Sequence, residues 1–382
     1  MKLYTPSFIA LFLANFFHVS SFAAFFLFPL IITDHGGNSR DIGIIMGSFA
    51  CASALSRPWI SSMIDRVGRK KCYASGCLVM TLMPLLHLLL GGQLDHEYFW
   101  LLLIRIVHGV GLAICFTSIM TFVVDIIPVS RLNEGVGIFG ASGLCGMAFG
   151  PLVCEFVLKG YGETAFFCSA SIFALCAFLL QLPLREKTQA PAMEKDSQDT
   201  FLSLLMTRKH LICAGIAMTF GVGLAATGNF IAPFAEQRSL TLISAYYLAY
   251  SAAAVGIRFV AGRLADRVGE QQIIPWGIML AVVAMFLVPL VHGNSLLLVV
   301  GFLFGLGHGL LFPSLNAMAI RNEPYAVRGK VMGIFTGAID SGAFIGALLL
   351  GMIGQAAGFT LLFLAAGTIM LSGLTIFRFR AR

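Results

Sequence analysis

The chain alternates long apolar runs with short polar punctuation. Runs near the roughly 20 residues that a helix needs to cross a hydrocarbon layer recur twelve times. They fall at 7–32, 41–64, 72–92, 99–127, 134–158, 164–182, 211–235, 241–264, 272–292, 296–320, 329–354 and 358–377. The second, eighth and tenth have polar ends, so their limits can shift by several residues. One longer polar segment, LREKTQAPAMEKDSQDT at 184–200, has the Pro, Lys, Glu and Ser content of a flexible linker. It splits the pattern six plus six. The expected architecture is an all-α integral membrane protein with twelve transmembrane helices. An N-terminal six-helix bundle would occupy 1–183, a linker 184–208 and a C-terminal six-helix bundle 209–382. The first run starts on a basic residue as a signal peptide does, but it far exceeds the roughly 7–15 residues of a signal core and reads as a span.

Composition agrees. The chain is 58% hydrophobic and 11% charged, against about 25% charged in a soluble domain. The 41 glycines are typical of membrane helices that pack closely. Nine cysteines are scattered through apolar runs without ligand spacing and read as small apolar residues. No Walker A loop is present to bind ATP. No nucleophile–base pair or cofactor loop marks an enzyme, and no cofactor or metal is expected.

Charge sets the expected orientation. With the N-terminus in the cytoplasm, only Arg40, Lys159 and Arg238 of the 25 Lys and Arg fall outside, and Arg57, Arg105 and Arg258 lie within spans. The remaining 19 face the cytoplasm, as the positive-inside rule requires. This topology accounts for the net charge of +7 without a nucleic-acid partner. Both termini are then cytoplasmic.

The two halves repeat each other. RPWISSMIDRVGRKK at 57–71 returns as RFVAGRLADRVG at 258–269, pairing Arg57, Asp65, Arg66 and Gly68 with Arg258, Asp266, Arg267 and Gly269. Downstream, an offset of 196 superposes ten identical residues within 42 positions, from Gly109 on Gly305 to Gly150 on Gly346. Such duplication is the way many secondary transporters are built. One correspondence carries physical content. Arg69 faces Glu270 in the repeat, and Asp125 faces Arg321, so both signs are exchanged together. Ion pairs Arg69–Asp125 and Glu270–Arg321 are therefore expected between the loop after the second span of each half and the inner end of its fourth.

At this point the chain resembles the major facilitator superfamily over essentially its whole length. The family signature Gly-x-Leu-Ala-Asp-Arg-x-Gly-Arg-Lys/Arg is matched by Gly262-Arg263-Leu264-Ala265-Asp266-Arg267-Val268-Gly269, with Glu270 replacing the Arg. The first copy keeps Asp65, Arg66, Gly68, Arg69 and Lys70, but has Ser61 and Met63 for the leading Gly and Leu. RIVHGVG at 105–111 is similar to the fourth-span signature Arg-x-x-Gln-Gly-x-Gly, with His108 for Gln. Gly146 to Pro151 is similar to the Gly-x-x-x-Gly-Pro core of the antiporter motif, without its trailing glycines. The resemblance implies alternating access by two bundles rocking about a central cavity. It also implies a place among bacterial proton-coupled drug and metabolite efflux permeases of the inner membrane, acting as a monomer on a small-molecule substrate.

Charges within the hydrocarbon are costly and mark candidate sites. Asp340 lies about twelve residues past Arg328, roughly 18 Å into its span. Lost hydration there favours the protonated form, which suits a proton or substrate role; a structural hydrogen bond is the bland alternative. Arg105 enters the same class, against simple snorkelling to the interface, and His18 near the middle of the first span joins them. The resemblance places spans 1, 4, 7 and 10 around the cavity, making Asn15, His108, Asn229, His308 and Asn316 candidate wall residues. Arg57 and Arg258 stand eight residues before their Asp and read as matched gate or scaffold positions, with Asp65, Arg66, Asp266 and Arg267. Glu155 reads as interfacial. The expected function is proton-driven efflux by antiport. A proton-coupled uptake symporter and a lipid-type translocator stay open on the same fold, and a non-transporting membrane sensor stays open outside it.

Overall fold

The computed structural model describes residues 3–128, 131–184, 186, 201–321 and 323–378. The helices are α1 Pro6–Ala24, α2 Phe28–Asp34, α3 Ser39–Val67, α4 Arg69–Leu86, α5 Leu94–Ile126, α6 Leu132–Gln181, α7 Phe201–Leu205, α8 Arg208–Gln237, α9 Ser244–Val268, α10 Glu270–Leu287, α11 Asn294–Ile320 and α12 Tyr325–Arg378. Among the described residues, eight helical stretches are long and apolar enough to cross a membrane. Two of them, Glu134–Gln181 and Val327–Arg378, are bent hairpins that each cross twice. Adding the more polar α3 and α9 completes twelve crossings, six on either side of the polar segment.

Pseudosymmetry is visible at the backbone. Gly162 and Gly358, 196 positions apart, break α6 and α12 at φ 79° and 78°. Gly68 and Gly269 join α3 to α4 and α9 to α10 at φ 97° and 81°. A side chain is strained in this left-handed region. Close helix approaches repeat too. A Cβ on Gly109 would strike the carbonyl of Phe49, and one on Gly305 the carbonyl of Tyr250. These partners are themselves related by the repeat.

Three features depart from the sequence pattern. The first span is broken, because Pro29 has no N–H to give to the turn before it. Phe25, Phe26 and Leu27 instead bond three residues back, and α2 restarts the helix. A short helix, α7, lies within 184–208, with Leu204 buried. Glu186 accepts hydrogen bonds from the backbone N–H groups of Arg69 (2.8 Å) and Lys70 (3.2 Å). Glu155 is buried rather than interfacial.

The outside of the bundle is apolar. Trp100 and Trp276 are exposed near span ends, the amphipathic position that tryptophan favours at a membrane surface. One end of the molecule carries Arg66, Lys70, Lys71 and Arg328 and is here termed the basic face.

Candidate functional site

The two halves meet along two seams, α3 against α12 and α6 against α9. At the first, Arg57 Nε donates to Asp340 Oδ2 at 2.6 Å, and Ser53 Oγ donates to the same oxygen at 3.1 Å. The side chains of Arg57 and Asp340 are only 14% and 21% exposed. Among ion pairs with both partners described, this one joins the halves. The sequence offered Arg57 as a gate and Asp340 as a proton site; the fold brings them together. Ser53 carried no signal.

Arg258 stands at the matching seam but does not repeat the contacts of Arg57. It lies at the second seam, with Nη1 3.0 Å from where a Cβ on Gly140 would stand. Its Nε has no hydrogen-bond partner, and it meets no carboxylate among the described residues. The reason is local sequence: the offset that locates Asp340 in α12 falls on Leu144 in α6, which is buried.

Arg105 is 1% exposed and lies inside the first half rather than at the interface. Its guanidinium carbon stands 4.4 Å from the ring centre of Phe49, 4.9 Å from Phe25 and 5.6 Å from Phe28. Nη1 donates to His108 Nδ1 at 3.2 Å, and Nη2 points at Met46 Sδ at 3.5 Å. Aromatic faces attract a cation through their quadrupole, so three rings take the place of a counter-ion. The phenylalanines could be recognised only once the break at 25–27 had turned them inward.

Several expected wall residues are enclosed within their own half. Asn15 Nδ2 donates to Ser142 Oγ at 2.8 Å. His18 packs its ring edge-on to Tyr73 of α4, 6.2 Å between centres, with both nitrogens unpartnered. His108 is fully buried beneath Phe25 and Phe49. In the second half, Tyr250 and His308 share a hydrogen bond through the hydroxyl and Nδ1. Helix pitch set these residues on α1, α5 and α11, but the partner helices that cover them lie far away in sequence. Asn229 and Asn316 remain half-buried, and Asn316 Oδ1 has no partner.

On the basic face both exchanged ion pairs are present. Arg69 Nη1 is 2.6 Å from Asp125 Oδ2, and Arg321 Nη2 contacts Glu270 Oε1. Arg66 is exposed. The side chains of Asp65, Asp266 and Arg267 lie outside the described residues. Lys209 Nζ is 2.6 Å from Glu323 Oε1, and its hydrogen bond holds that carboxyl below its usual range.

The opposite face closes across the second seam. Glu155 on α6 accepts from the backbone N–H groups of Ile243 (2.9 Å) and Ser244 (2.6 Å) at the start of α9. Lys159 Nζ donates to Glu155 at 2.6 Å and to the Thr241 carbonyl at 2.8 Å. Phe26 stacks on Tyr247, 5.2 Å between centres. A cavity of about 490 Å³ sits there, lined by Asp34, Glu155, Lys159, Glu163 and Glu236 among others. A lone Glu-x-x-x-Lys pair in an apolar run was the one available hint of this closure.

Comparison with known proteins agrees with this arrangement. The profile of the Major Facilitator Superfamily matches residues 10–295 and 249–382. Multidrug resistance protein MdtG of Escherichia coli is 23% identical over 369 residues, covering 94% of this chain and 88% of that protein. MdtG of Enterobacter lignolyticus is 24% identical, covering 94% and 86%. Among solved structures, the nucleoside transporter NupG superposes with a TM-score of 0.78 at 13% identity, covering 97% of this chain and 99% of that one. A POT family transporter bound to a thioalcohol-conjugated peptide gives 0.79 at 14% identity, covering 98% and 96%. At such identities the structural likeness speaks for the fold alone.

Proposed function

This chain belongs to the major facilitator superfamily, and we propose that it exports a small organic solute across the cytoplasmic membrane in exchange for protons. It is a multi-pass membrane transporter rather than an enzyme. Direction, coupling and orientation are our reading. The observation that carries it is the Arg57–Asp340 pair, placed across a seam that must open and close. Protonating Asp340 removes the charge that holds Arg57, and the two halves lose their shared ion pair. Deprotonation restores it. A carboxylate in this position couples proton occupancy to the position of one bundle against the other, which is what exchange requires.

The cluster of basic residues on the basic face supports a cytoplasmic orientation for it. On that reading the seal formed by Glu155, Lys159, Phe26 and Tyr247 closes the outer side, and this conformation faces inward. Export is favoured by the names of the MdtG relatives, both called multidrug resistance proteins.

The test is reconstitution into liposomes with an imposed pH gradient and an internal pH dye, scanning solutes for one that releases protons. The expected result is solute-dependent proton flux in the wild type. Asp340→Asn should retain solute exchange but lose gradient-driven accumulation. Full pH-driven transport by Asp340→Asn would remove the proton role from this residue.

A further inference from the structure

The repeat places two arginines, Arg57 and Arg258, at equivalent points on the two seams, yet only Arg57 has a counter-ion among the described residues. Arg57 has Asp340. The position equivalent to Asp340 is Leu144, and the position equivalent to Ser53 is Ala254, so these two positions supply Arg258 with neither carboxylate nor hydroxyl. A guanidinium stays ionised under all ordinary conditions, and an unpaired charge away from water is costly. Arginine offers its donors as a rigid fork matched to a carboxylate, which lysine does not. The neighbours are aromatic. Arg258 lies within electrostatic range of Tyr250 and His308. His308 packs against Phe220 (5.0 Å) and Phe312 (5.7 Å). The Tyr250 hydroxyl shares a hydrogen bond with His308 Nδ1, and as a neutral group it supplies Arg258 with no counter-charge. Asn316 falls on the same face of α11 as His308 and Phe312, at intervals of four, and its Oδ1 is buried without a partner.

We propose that Arg258 is a substrate-recognition residue, and that the solute carried by this transporter is an amphipathic organic anion with a carboxylate beside an aromatic or apolar body. The carboxylate pairs with the Arg258 guanidinium at the second seam, and the half-buried ring of Phe312, with Asn316 one turn on, receives the apolar part. This deepens the transport reading and rests on it for its meaning. Binding can nevertheless be measured without transport.

The experiment uses the purified full chain in detergent with three probes of one shape: 1-naphthoate, neutral 1-naphthamide and cationic 1-naphthylmethylammonium. Calorimetric titration is expected to show saturable naphthoate binding at least tenfold tighter than either other probe. Arg258→Met should weaken naphthoate at least tenfold and leave the amide unchanged. Should that variant fold poorly, Leu144→Asp tests the same idea by addition. It supplies the missing counter-ion, and should exclude naphthoate while melting no lower than wild type. Absence of saturable naphthoate binding, equal or tighter binding of the cation, or unchanged naphthoate affinity in both variants would overturn the assignment. So would loss of naphthoate binding through Arg105→Met with Arg258→Met unaffected. Proton flux separates the two readings. Coupled flux with no anion preference removes only this inference. Naphthoate binding without any proton-driven flux removes only the coupling.

Discussion

Glu155 of one half caps the first turn of α9 in the other, with its carboxylate 2.6 Å from the backbone N–H of Ser244. A helix start is electropositive and leaves its first N–H groups unpaired, so this acid closes the seam by completing a helix. Glu155→Ala should cost about 0.5–2 kcal/mol on loss of the cap alone. It should lower the melting temperature and expose a cysteine placed at Leu240, in a cysteine-free background, to a membrane-impermeant thiol reagent. Glu155→Gln keeps an acceptor and should fall between. Unchanged melting and labelling in Glu155→Ala would show that the cap does not hold the seam.

The helix crossings Gly109–Phe49 and Gly305–Tyr250 leave no space for a side chain. Gly109→Ala and Gly305→Ala should each destabilise by about 1–3 kcal/mol through overpacking. A methyl group on Gly137 would meet no neighbouring atom within 4 Å, and Gly137→Ala should instead stabilise by about 0.5–1 kcal/mol through helix propensity. Melting of the three variants in one detergent checks the contrast. Equal effects would mean that the crossings are not tight in solution.

The exchanged ion pairs on the basic face make a swap possible. Reversing Arg69 alone to Glu places a second acid beside Asp125. Arg69→Glu should slow transport, and the double variant Arg69→Glu with Asp125→Arg should recover most of the rate, because it copies the polarity of Glu270 and Arg321. A double variant as slow as the single one would show that the pair acts through something other than charge.

On the opposite face His35 Nε2 lies 3.0 Å from Glu163 Oε2, and His35 Nδ1 lies 3.0 Å from the Gly92 carbonyl. The hydrogen bond to Glu163 raises the histidine above its ordinary value. A raised folded value means that the stabilisation is complete below about pH 6.5 and is lost as pH climbs through the shifted titration. The two side chains are 30% and 39% exposed, so solvent screening limits the effect to about 0–1 kcal/mol. Wild type should therefore melt slightly higher at pH 6 than at pH 8.5. His35→Gln should flatten that difference, and salt should shrink it. An equal slope in His35→Gln would assign the pH dependence elsewhere.

The twelve crossings, the internal repeat and the exchanged pairs were legible in the sequence because each is written locally. Run length encodes a span, and the 196-residue offset encodes Arg321 opposite Asp125. Partnerships between halves were not legible. Nothing near Arg57 names Asp340, 283 positions away, as its acceptor. Nothing near Glu155 names the start of α9. His18 and Asn15 show the same limit from the other side: their place along α1 was readable, but not which neighbouring helix would cover them. The break at Phe25–Leu27 had a signal in Pro29, outweighed by the continuous apolar run around it.

The two seams are sealed by unlike means, and this has a mechanical consequence. On α3 and α12, Gly43 and Gly351 bring the backbones into direct contact, with Ser39 and Ala347 completing the fit. On α6 and α9, Glu155 and Lys159 do the joining. The first edge is a close backbone bearing that also carries the Arg57–Asp340 pair; the second is a clasp that must rehydrate a carboxylate to let go. The bodies therefore tilt about a line displaced towards α3 and α12, so that the charge of Asp340 acts near the axle of that motion and the hydration of Glu155 at its far edge.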